Sequence, residues 1–195
     1  RVIFGDEEDE LFKLRLLWTR HVVDGLNESE LVALLSHRSE HVRRWSVRFL
    51  TDRLQQESSA LPQVVFSHFR NMAYHDSSPK VRLELACALQ RVSNDHRMAI
   101  AEGLVSHAED ATDSYLPLMI WYGIEPAVAT DTTAALKLAA ASRLPLVRRH
   151  IARRVIDIEA PPIVDVVDAA SNNPDETIRL DLLQGMLDAL DGRGQ

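Results

Sequence analysis

The chain has 195 residues and a formal net charge of −7 at pH 7, with 46% hydrophobic and 26% charged residues, an ordinary balance for a folded domain. The acidic balance disfavours a duplex-binding surface, which needs clustered lysine and arginine. The single cysteine, Cys87, excludes an internal disulfide, a CxxC zinc site and a CxxCH haem-attachment sequence within these residues. No apolar stretch reaches the ~18 residues of a membrane span, so we expect none.

Six amphipathic helices that share one pattern are predicted along the chain, and we call them marker helices. In four of them a polar turn precedes an apolar residue and an arginine, as in HRSEHVRRWSVRFL (37–50) and SRLPLVRRHIARRV (142–155). An N-terminal copy (9–23) and a degenerate copy without the arginine (110–124) complete the set. The arginines are Arg15, Arg43, Arg82, Arg148 and Arg179, with Leu116 filling the gap. Their intervals of 28 to 39 residues are typical of helical-pair solenoids. The marker helices are expected to begin near residues 10, 40, 79, 114, 145 and 174.

A partner helix is predicted in each interval between marker helices. The predicted spans are Leu31 to Leu35, Leu61 to Tyr74, His96 to Ala108, Asp131 to Ala141 and Pro162 to Ala170. In the last of these, the spacing of Ile163, Val164, Val167 and Ala170 predicts a buried stripe.

Capping chemistry marks several predicted helix ends. Ser78-Pro79 and Asn173-Pro174 each place an N-cap oxygen before a proline, whose missing N–H costs little in the first helical turn. Glu176 is placed to complete a capping box with Asn173. Pro126 is expected to end the helix that contains Trp121 and to leave residues 124–130 as an irregular link.

These patterns together predict an all-α fold without a sheet. Sparse glycine and proline and the absence of sustained alternation argue against strands. We expect a HEAT-like α-solenoid, an α-α superhelix of about five to six antiparallel helix pairs, that forms one domain over residues 1–195. Because the sequence opens on Arg1 rather than methionine, we expect it to be a fragment of a larger protein.

One stretch of the chain resembles a known family. The run PLMIWYGIEPAVATDTTAALKLAAASRLPLVRRHIARRV (117–155) resembles the HEAT-repeat region of large haem-binding, c-type-cytochrome, membrane-bound-dehydrogenase-like proteins of planctomycetes and related bacteria. The runs HVRRWSVRFL (41–50) and PKVRLELACALQRV (79–92) look like the same region. Its most specific part is LMIWY-x-x-EP followed by LPLVRR-x-IARR.

The resemblance implies a spacer or docking segment between a sugar-dehydrogenase-like propeller and an electron carrier. It also implies an exported or periplasmic parent protein. The family holds its haem with a CxxCH sequence, which this chain lacks. The resemblance therefore implies haem in the parent protein only, and we expect no cofactor in this chain.

The marker arginines have a structural and a functional interpretation. In HEAT-type repeats such arginines often tie consecutive units together, so Arg43, Arg82, Arg148 and Arg179 are interpreted as structural turn arginines. The run Arg148, Arg149, Arg153 and Arg154 is the most conspicuous basic feature, and residues four apart share a helix face.

A candidate partner-binding cluster lies where two marker helices are expected to be neighbours. Aromatic rings beside a carboxylate and guanidinium groups can form a recognition pocket, and an arginine could stack on Trp121. The alternative is that Trp121 belongs to the core and that Glu125 pairs with Arg149 or Arg153. The candidate residues are Trp121, Tyr122, Glu125, Arg149, Arg153 and Arg154.

No catalytic or metal-binding pattern is found in the sequence. It has no HExxH, no GxSxG and no glycine-rich phosphate loop, and its eight histidines lack ligand spacing. Cys87 lies in an apolar helical run and is expected to be a small buried side chain. We therefore expect a protein that is not an enzyme.

Three functions remain open from the sequence. The leading hypothesis is an interaction scaffold, monomeric itself, that contacts proteins or neighbouring domains of the same parent chain through a row of marker-helix residues. This row comprises Arg44, Arg48, Glu84, Arg149 and Arg153. The alternative is a HEAT-like nucleic-acid reader or DNA-repair glycosylase, which the charge of −7 disfavours. A passive spacer is the third.

Overall fold

A computed structural model describes residues 10–23, 25–57 and 60–192, with the side chains of residues 54–57 and 192 left undescribed. Across these ranges the regular structure consists of eleven α-helices and two short 3₁₀ segments, with no strand. The predicted all-α class is therefore confirmed. No helix in the described part of the chain is both long and apolar enough to cross a membrane.

The helices follow one another with short connections. Their bounds are α1 Glu10–Val23, α2 Glu28–Leu34, α3 Glu40–Glu57, α4 Gln63–His75, α5 Pro79–Ala88, α6 Asn94–Leu104, α7 Leu116–Val128, α8 Thr132–Ala141, α9 Pro145–Ile156, α10 Ile163–Ser171 and α11 Glu176–Gly192. The 3₁₀ segments are Leu89–Arg91 and Ala108–Thr112. The odd-numbered helices correspond to the marker helices, and α3, α5, α7, α9 and α11 each begin within two residues of their predicted starts. The predicted start of the first marker helix borders residues outside the described ranges.

Helix contacts follow a regular order. Each odd-numbered helix from α1 to α9 contacts the next odd-numbered helix, and α4, α6, α8 and α10 contact one another in the same way. Each even-numbered helix also contacts the odd-numbered helix that follows it. The hydrophobic core lies between these two rows, which we call the odd row and the even row. Periodic apolar stripes on both rows bury one face of each helix, which is the main source of helix stability in a fold of this kind.

Several helix starts use the capping residues that the sequence predicts. The Ser78 hydroxyl accepts a hydrogen bond from the Val81 amide at 3.4 Å, and Pro79 occupies the first helical turn. The Asp131 carboxylate accepts from the Ala134 amide at 2.9 Å. The predicted cap at Asn173 is wrong, because α11 begins at Glu176 and Asp175 directly precedes it. Asp175 instead accepts from the Thr177 amide at 2.8 Å, and hydrogen bonds from Thr177 lower the pKa of Asp175.

The predicted end of the Trp121 helix at Pro126 is also wrong. α7 continues to Val128 with the exposed Pro126 inside its last turn. A proline removes one hydrogen bond, but this cost is offset where the following residues gain burial. Ala127 and Val128 are both buried, and the Ala127 carbonyl accepts from the amides of Thr130 and Asp131.

The predicted buried stripe of α10 is largely wrong. Ile163, Val164 and Val167 are exposed, whereas Val166 and Ala170 face the core. The error arises because α10 is apolar on more than one side, so the spacing of its apolar residues alone does not say which side packs.

Candidate functional site

Three of the four turn arginines share one hydrogen-bonding geometry, and Arg43 shows it first. Its Nε and Nη2 donate to the carboxylate of Asp76 at 2.7 and 2.8 Å. Its Nη1 donates to the carbonyl of His37, six residues earlier, at 2.9 Å. The carboxylate belongs to the turn before the next odd-row helix, so one guanidinium links α3 to the start of α5. Asp76 raises the pKa of Arg43. We call this arrangement a bracket.

Arg82 repeats the bracket in a buried setting. Its Nε and Nη2 each donate to the Asp110 carboxylate at 2.6 Å, and its Nη1 donates to the carbonyl of Asp76, six residues earlier, at 2.8 Å. The exposed fractions are 2% for Arg82 and 3% for Asp110. Burial by itself lowers the pKa of Arg82, and the hydrogen bonds and charge of Asp110 more than offset this effect. Asp76 thus serves two brackets, one through its carboxylate and one through its carbonyl.

Arg148 forms the third bracket. Its Nε donates to the Asp181 carboxylate at 2.8 Å, its Nη2 contacts the same carboxylate, and its Nη1 donates to the Ser142 carbonyl at 2.8 Å. Arg179 keeps only the local half, because its Nη1 donates to the Asn173 carbonyl at 3.0 Å. Within the described ranges no carboxylate pairs with Arg179. All four arginines therefore share one hydrogen bond, in which Nη1 donates to the backbone carbonyl of the residue six positions earlier.

The series is interrupted at Leu116. Asp76 and Asp110 lie six residues before Arg82 and Leu116, and Ser142 lies six residues before Arg148. Leu116 is buried where a guanidinium would otherwise lie, and the buried Ser142 stands where the matching carboxylate would be. Between α7 and α9 both the arginine and its carboxylate partner are therefore replaced by uncharged residues, so no carboxylate is left buried without a partner.

Arg15 does not belong to this set. Its side chain lies on the exposed side of α1, and the buried cation of that helix is Lys13. The sequence pattern of an apolar residue followed by arginine selected Arg15 because it carries no information on which face of the helix packs.

A second group of arginines lies at the surface of the odd row. We call Arg44, Arg48, Arg149 and Arg153 the exposed arginine row. Arg44 pairs with Glu84 at 3.1 Å, and Arg149 pairs with Asp181 at 2.7 Å, in both cases between successive odd-row helices. Among the described residues, the carboxylates that Arg48 and Arg153 contact are Asp52 and Asp157, each four residues ahead, at the longer distances of 4.0 and 3.8 Å. Side chains of Arg149 and Arg153 are each 53% exposed.

The candidate cluster divides into two parts. Trp121 is buried and its ring stacks on His150, with centroids 5.1 Å apart and planes 17° apart. Glu125 pairs with Arg154 at 2.6 Å, rather than with Arg149 or Arg153 as the sequence suggested. These four residues hold α7 against α9. The expected stacking of an arginine on Trp121 is replaced by the histidine.

The other three candidates remain at the surface. Tyr122 is about half exposed, and Arg149 and Arg153 lie on the exposed side of α9. No single recognition pocket therefore gathers all six residues. His150, which the sequence did not single out, is half-buried, and burial, followed by the charge of Arg153, lowers its pKa.

The carboxylate partners are the residues that sequence reasoning missed. Asp76 and Asp110 share a detectable signal, since they lie six residues before Arg82 and Leu116. We call the equivalent positions Arg43, Arg82, Leu116, Arg148 and Arg179 the bracket positions. Asp181 lacks that signal because it lies within α11, where it accepts from both Arg148 and Arg149.

Cys87 is only partly buried. Burial, followed by the charge of Glu84, raises the pKa of its thiol, so the thiol is protonated at neutral pH and is a poor nucleophile.

Charge differs between the two rows. Helices α1, α3, α5, α7 and α9 carry 13 basic and 6 acidic residues, whereas α2, α4, α6, α8 and α10 carry 3 and 6. The odd row is thus basic from α1 to α9 although the chain is acidic. Over the described residues no three histidine, cysteine, aspartate or glutamate side chains lie close enough together to hold a metal ion.

Comparison with known proteins identifies no relative of this chain. No family model, no curated protein and no solved structure matches it.

Proposed function

We propose that the chain is a HEAT-like α-solenoid that acts as a non-catalytic scaffold and binds an acidic surface of a protein partner through the exposed arginine row. The observation that carries the proposal is this row on a basic helix layer of an otherwise acidic chain. The partner is either a separate protein or a neighbouring domain of the same parent, as the resemblance to planctomycete dehydrogenase–cytochrome proteins implies.

The solenoid interpretation is supported by the repeated contacts. Two rows of helices that contact their neighbours in order are what a stack of helix pairs requires. Brackets from Arg43, Arg82 and Arg148 reach carboxylates 33, 28 and 33 residues ahead, so the same polar link recurs once per unit. A closed bundle has no reason to repeat one link at this interval.

The mixture of charges favours a protein partner over nucleic acid. A phosphate-binding groove needs cations that are free to neutralise phosphates. Arg44 and Arg149 instead contact carboxylates within the chain, and Glu84, Asp52 and Asp157 lie among the arginines. Arginine with interspersed acids and aromatic side chains is typical of protein–protein interfaces. Trp45 contributes such a ring, with Arg48 5.4 Å from its centroid.

The test reverses charge at Arg48 and Arg153 together. These two are preferable to Arg149, since R149E would place a second carboxylate beside the buried Asp181 and disturb the fold. We expect R48E/R153E to keep the helical CD spectrum and thermal midpoint of the parent chain. In quantitative affinity capture from an extract of the source organism, the amount of partner recovered by the variant should fall at least about tenfold.

The matched control is R70E, which reverses an exposed arginine on α4 in the even row. It should retain the partners. Recovery of the same partners by R48E/R153E would refute the arginine row as the binding surface. Gel shifts with single- and double-stranded DNA at low salt form the second arm. Micromolar binding that R48E/R153E abolishes would replace the protein partner with nucleic acid.

A further inference from the structure

The outer face of α11 carries an uninterrupted apolar stripe. Leu180, Leu183, Leu187 and Leu190 are 59%, 37%, 50% and 38% exposed, although their spacing of three and four residues places them on one side of the helix. The opposite side buries Leu182 and Ala189 against the rest of the chain. A surface helix of a globular protein normally has one apolar face, so the second face of α11 is unusual.

Most earlier odd-row helices bury the residues equivalent to Leu183 and Leu187, whereas the residues equivalent to Leu180 include the exposed Arg149. The residue four places after each bracket position is fully buried in α3, α5, α7 and α9, and these residues are Val47, Ala86, Ile120 and Ala152. In α11 the same position is Leu183. Eight places after the bracket position, Ile124 and Ile156 are buried and Gln90 is exposed, while α11 has Leu187. The middle of the outer face of α11, at Leu183 and Leu187, therefore corresponds to positions that pack in most of the earlier odd-row helices.

Arg179 marks the same face as an incomplete interface. In three earlier units the equivalent arginine meets a carboxylate of the neighbouring unit. Arg179 has only its carbonyl contacts to Asn173 and Pro174 in the described ranges. The neighbouring α10 adds exposed Val164 and Val167 to the apolar area of this end.

The arrangement of α11 is complementary to itself when the direction of the helix is reversed. Leu180 and Leu190 lie five residues on either side of Gly185, and Leu183 and Leu187 lie two on either side. Arg179 is at the N-terminal end of the stripe, whereas Asp188 and Asp191 are near its C-terminal end, where the helix dipole also favours a cation. When a second α11 packs antiparallel to the first, the leucines of the two stripes lie opposite each other. Arg179 of each copy then lies beside the acidic C-terminal end of α11 in the other copy.

We propose that two copies of this chain form an isologous dimer in which the α11 helices pack antiparallel about a two-fold axis that passes between Leu183 and Leu187. An isologous interface requires a self-complementary patch, and this stripe is one. The proposal departs from the monomer that the sequence suggested, and it goes beyond the scaffold function because it concerns a different face.

The test is sedimentation equilibrium of the 195-residue chain from about 1 to 200 µM, the range in which a modest helical interface is populated. We expect a reversible monomer–dimer equilibrium. L183D/L187D should raise the dimer dissociation constant at least about 100-fold, since it places carboxylates at the centre of the interface. R179E should raise it by a smaller factor that shrinks with added salt.

The control is V22D, which places the same charge on an exposed valine of α1 at the other end of the odd row. It should leave the dissociation constant unchanged. A chain that is monomeric at every concentration overturns the proposal, as does a dimer that tolerates L183D/L187D. Loss of association in V22D overturns the two-fold dimer in favour of head-to-tail stacking of α11 on α1.

The orientation is measured separately with spin labels in a C87A background. Labels at Q184C lie next to the proposed axis, so the two copies should give a short distance. Labels at D191C lie six residues from Gly185 in each copy, which separates them by about 18 Å along the helix axis at 1.5 Å per residue. A D191C distance clearly longer than the Q184C distance supports the antiparallel dimer, and equal distances contradict it.

Discussion

At the scale of single residues, Arg82 and Asp110 show what a bracket does for the fold. Both side chains are almost completely buried. The Nε and Nη2 of Arg82 donate to the carboxylate of Asp110, and its Nη1 donates to the carbonyl of Asp76. Removing two charges from water is costly, and a well-formed buried pair often does little more than recover that cost. The chain contains its own comparison, because the buried Leu116 and Ser142 replace the pair at a later interface. The bracket is therefore best understood as a device that fixes the register of successive units.

The prediction at this scale is a double-mutant cycle. R82L alone should lower the free energy of unfolding by about 3–5 kcal/mol, because it leaves the Asp110 carboxylate buried without its partner. R82L/D110S should recover much of that loss, since it reproduces the Leu116 and Ser142 combination. Urea unfolding of both single variants, the double variant and the exposed control R70L measures the coupling. Additive losses would show that the two side chains do not act as a pair.

At the scale of helices, α9 and α11 approach each other closely at Gly185. A Cβ atom built on Gly185 would lie 2.2 Å from the Arg149 carbonyl oxygen and 2.9 Å from the Ala152 Cβ. Backbone atoms cannot move aside as a flexible side chain can, so only glycine permits this spacing. The close approach in turn brings Asp181 within reach of both Arg148 and Arg149.

We therefore expect G185A to destabilise the fold. Alanine is the better helix former by about 1 kcal/mol, but an overpacked contact costs about 1–3 kcal/mol, so we expect a net loss of up to about 2 kcal/mol. Q184A, at the exposed neighbouring position, should change stability by no more than about 0.5 kcal/mol. Thermal and chemical unfolding measure both. A G185A protein more stable than the parent would mean that α9 and α11 separate without loss.

Helix positions followed well from the sequence, whereas helix surroundings did not. The predicted partner helices from Leu61 to Tyr74 and from Asp131 to Ala141 differ from α4 and α8 by two residues or fewer at either end. Local signals such as Ser78 and Asp131 place a helix start without any knowledge of neighbours. The misjudged stripe of α10 and the continuation of α7 past Pro126 depend on which neighbour covers which side, and no local signal carries that information.

At the scale of the whole molecule, the contacts run between nearest neighbours along each row. In the solenoid that we propose, stability is approximately the sum of unit and interface contributions, so damage at one interface should stay local. The single domain expected over residues 1–195 stays a prediction. Whether damage at one interface stays local or spreads through the chain tests it.

R148M should weaken the α9–α11 interface and leave distant units intact. In hydrogen exchange measured by mass spectrometry, we expect the protection factors of amides in α9, α10 and α11 to fall at least about tenfold, while those in α3 and α5 stay unchanged. R43M is the matched control, for which the loss should appear around α3 and α5 instead. An equal loss throughout the chain in both variants would instead identify one fully cooperative unit.

The sequence by itself determined the helical class, the succession of marker and partner helices, and the turn arginines as a repeated set, because periodicity and capping act within a few residues. It also indicated Arg44, Arg48, Arg149 and Arg153 as surface residues. Only the tertiary structure decided the partners of the brackets, the stacking of Trp121 on His150 and the uncovered stripe of α11. Those features depend on contacts between residues about 30 positions apart, or on the absence of a neighbour, and neither is written in local sequence.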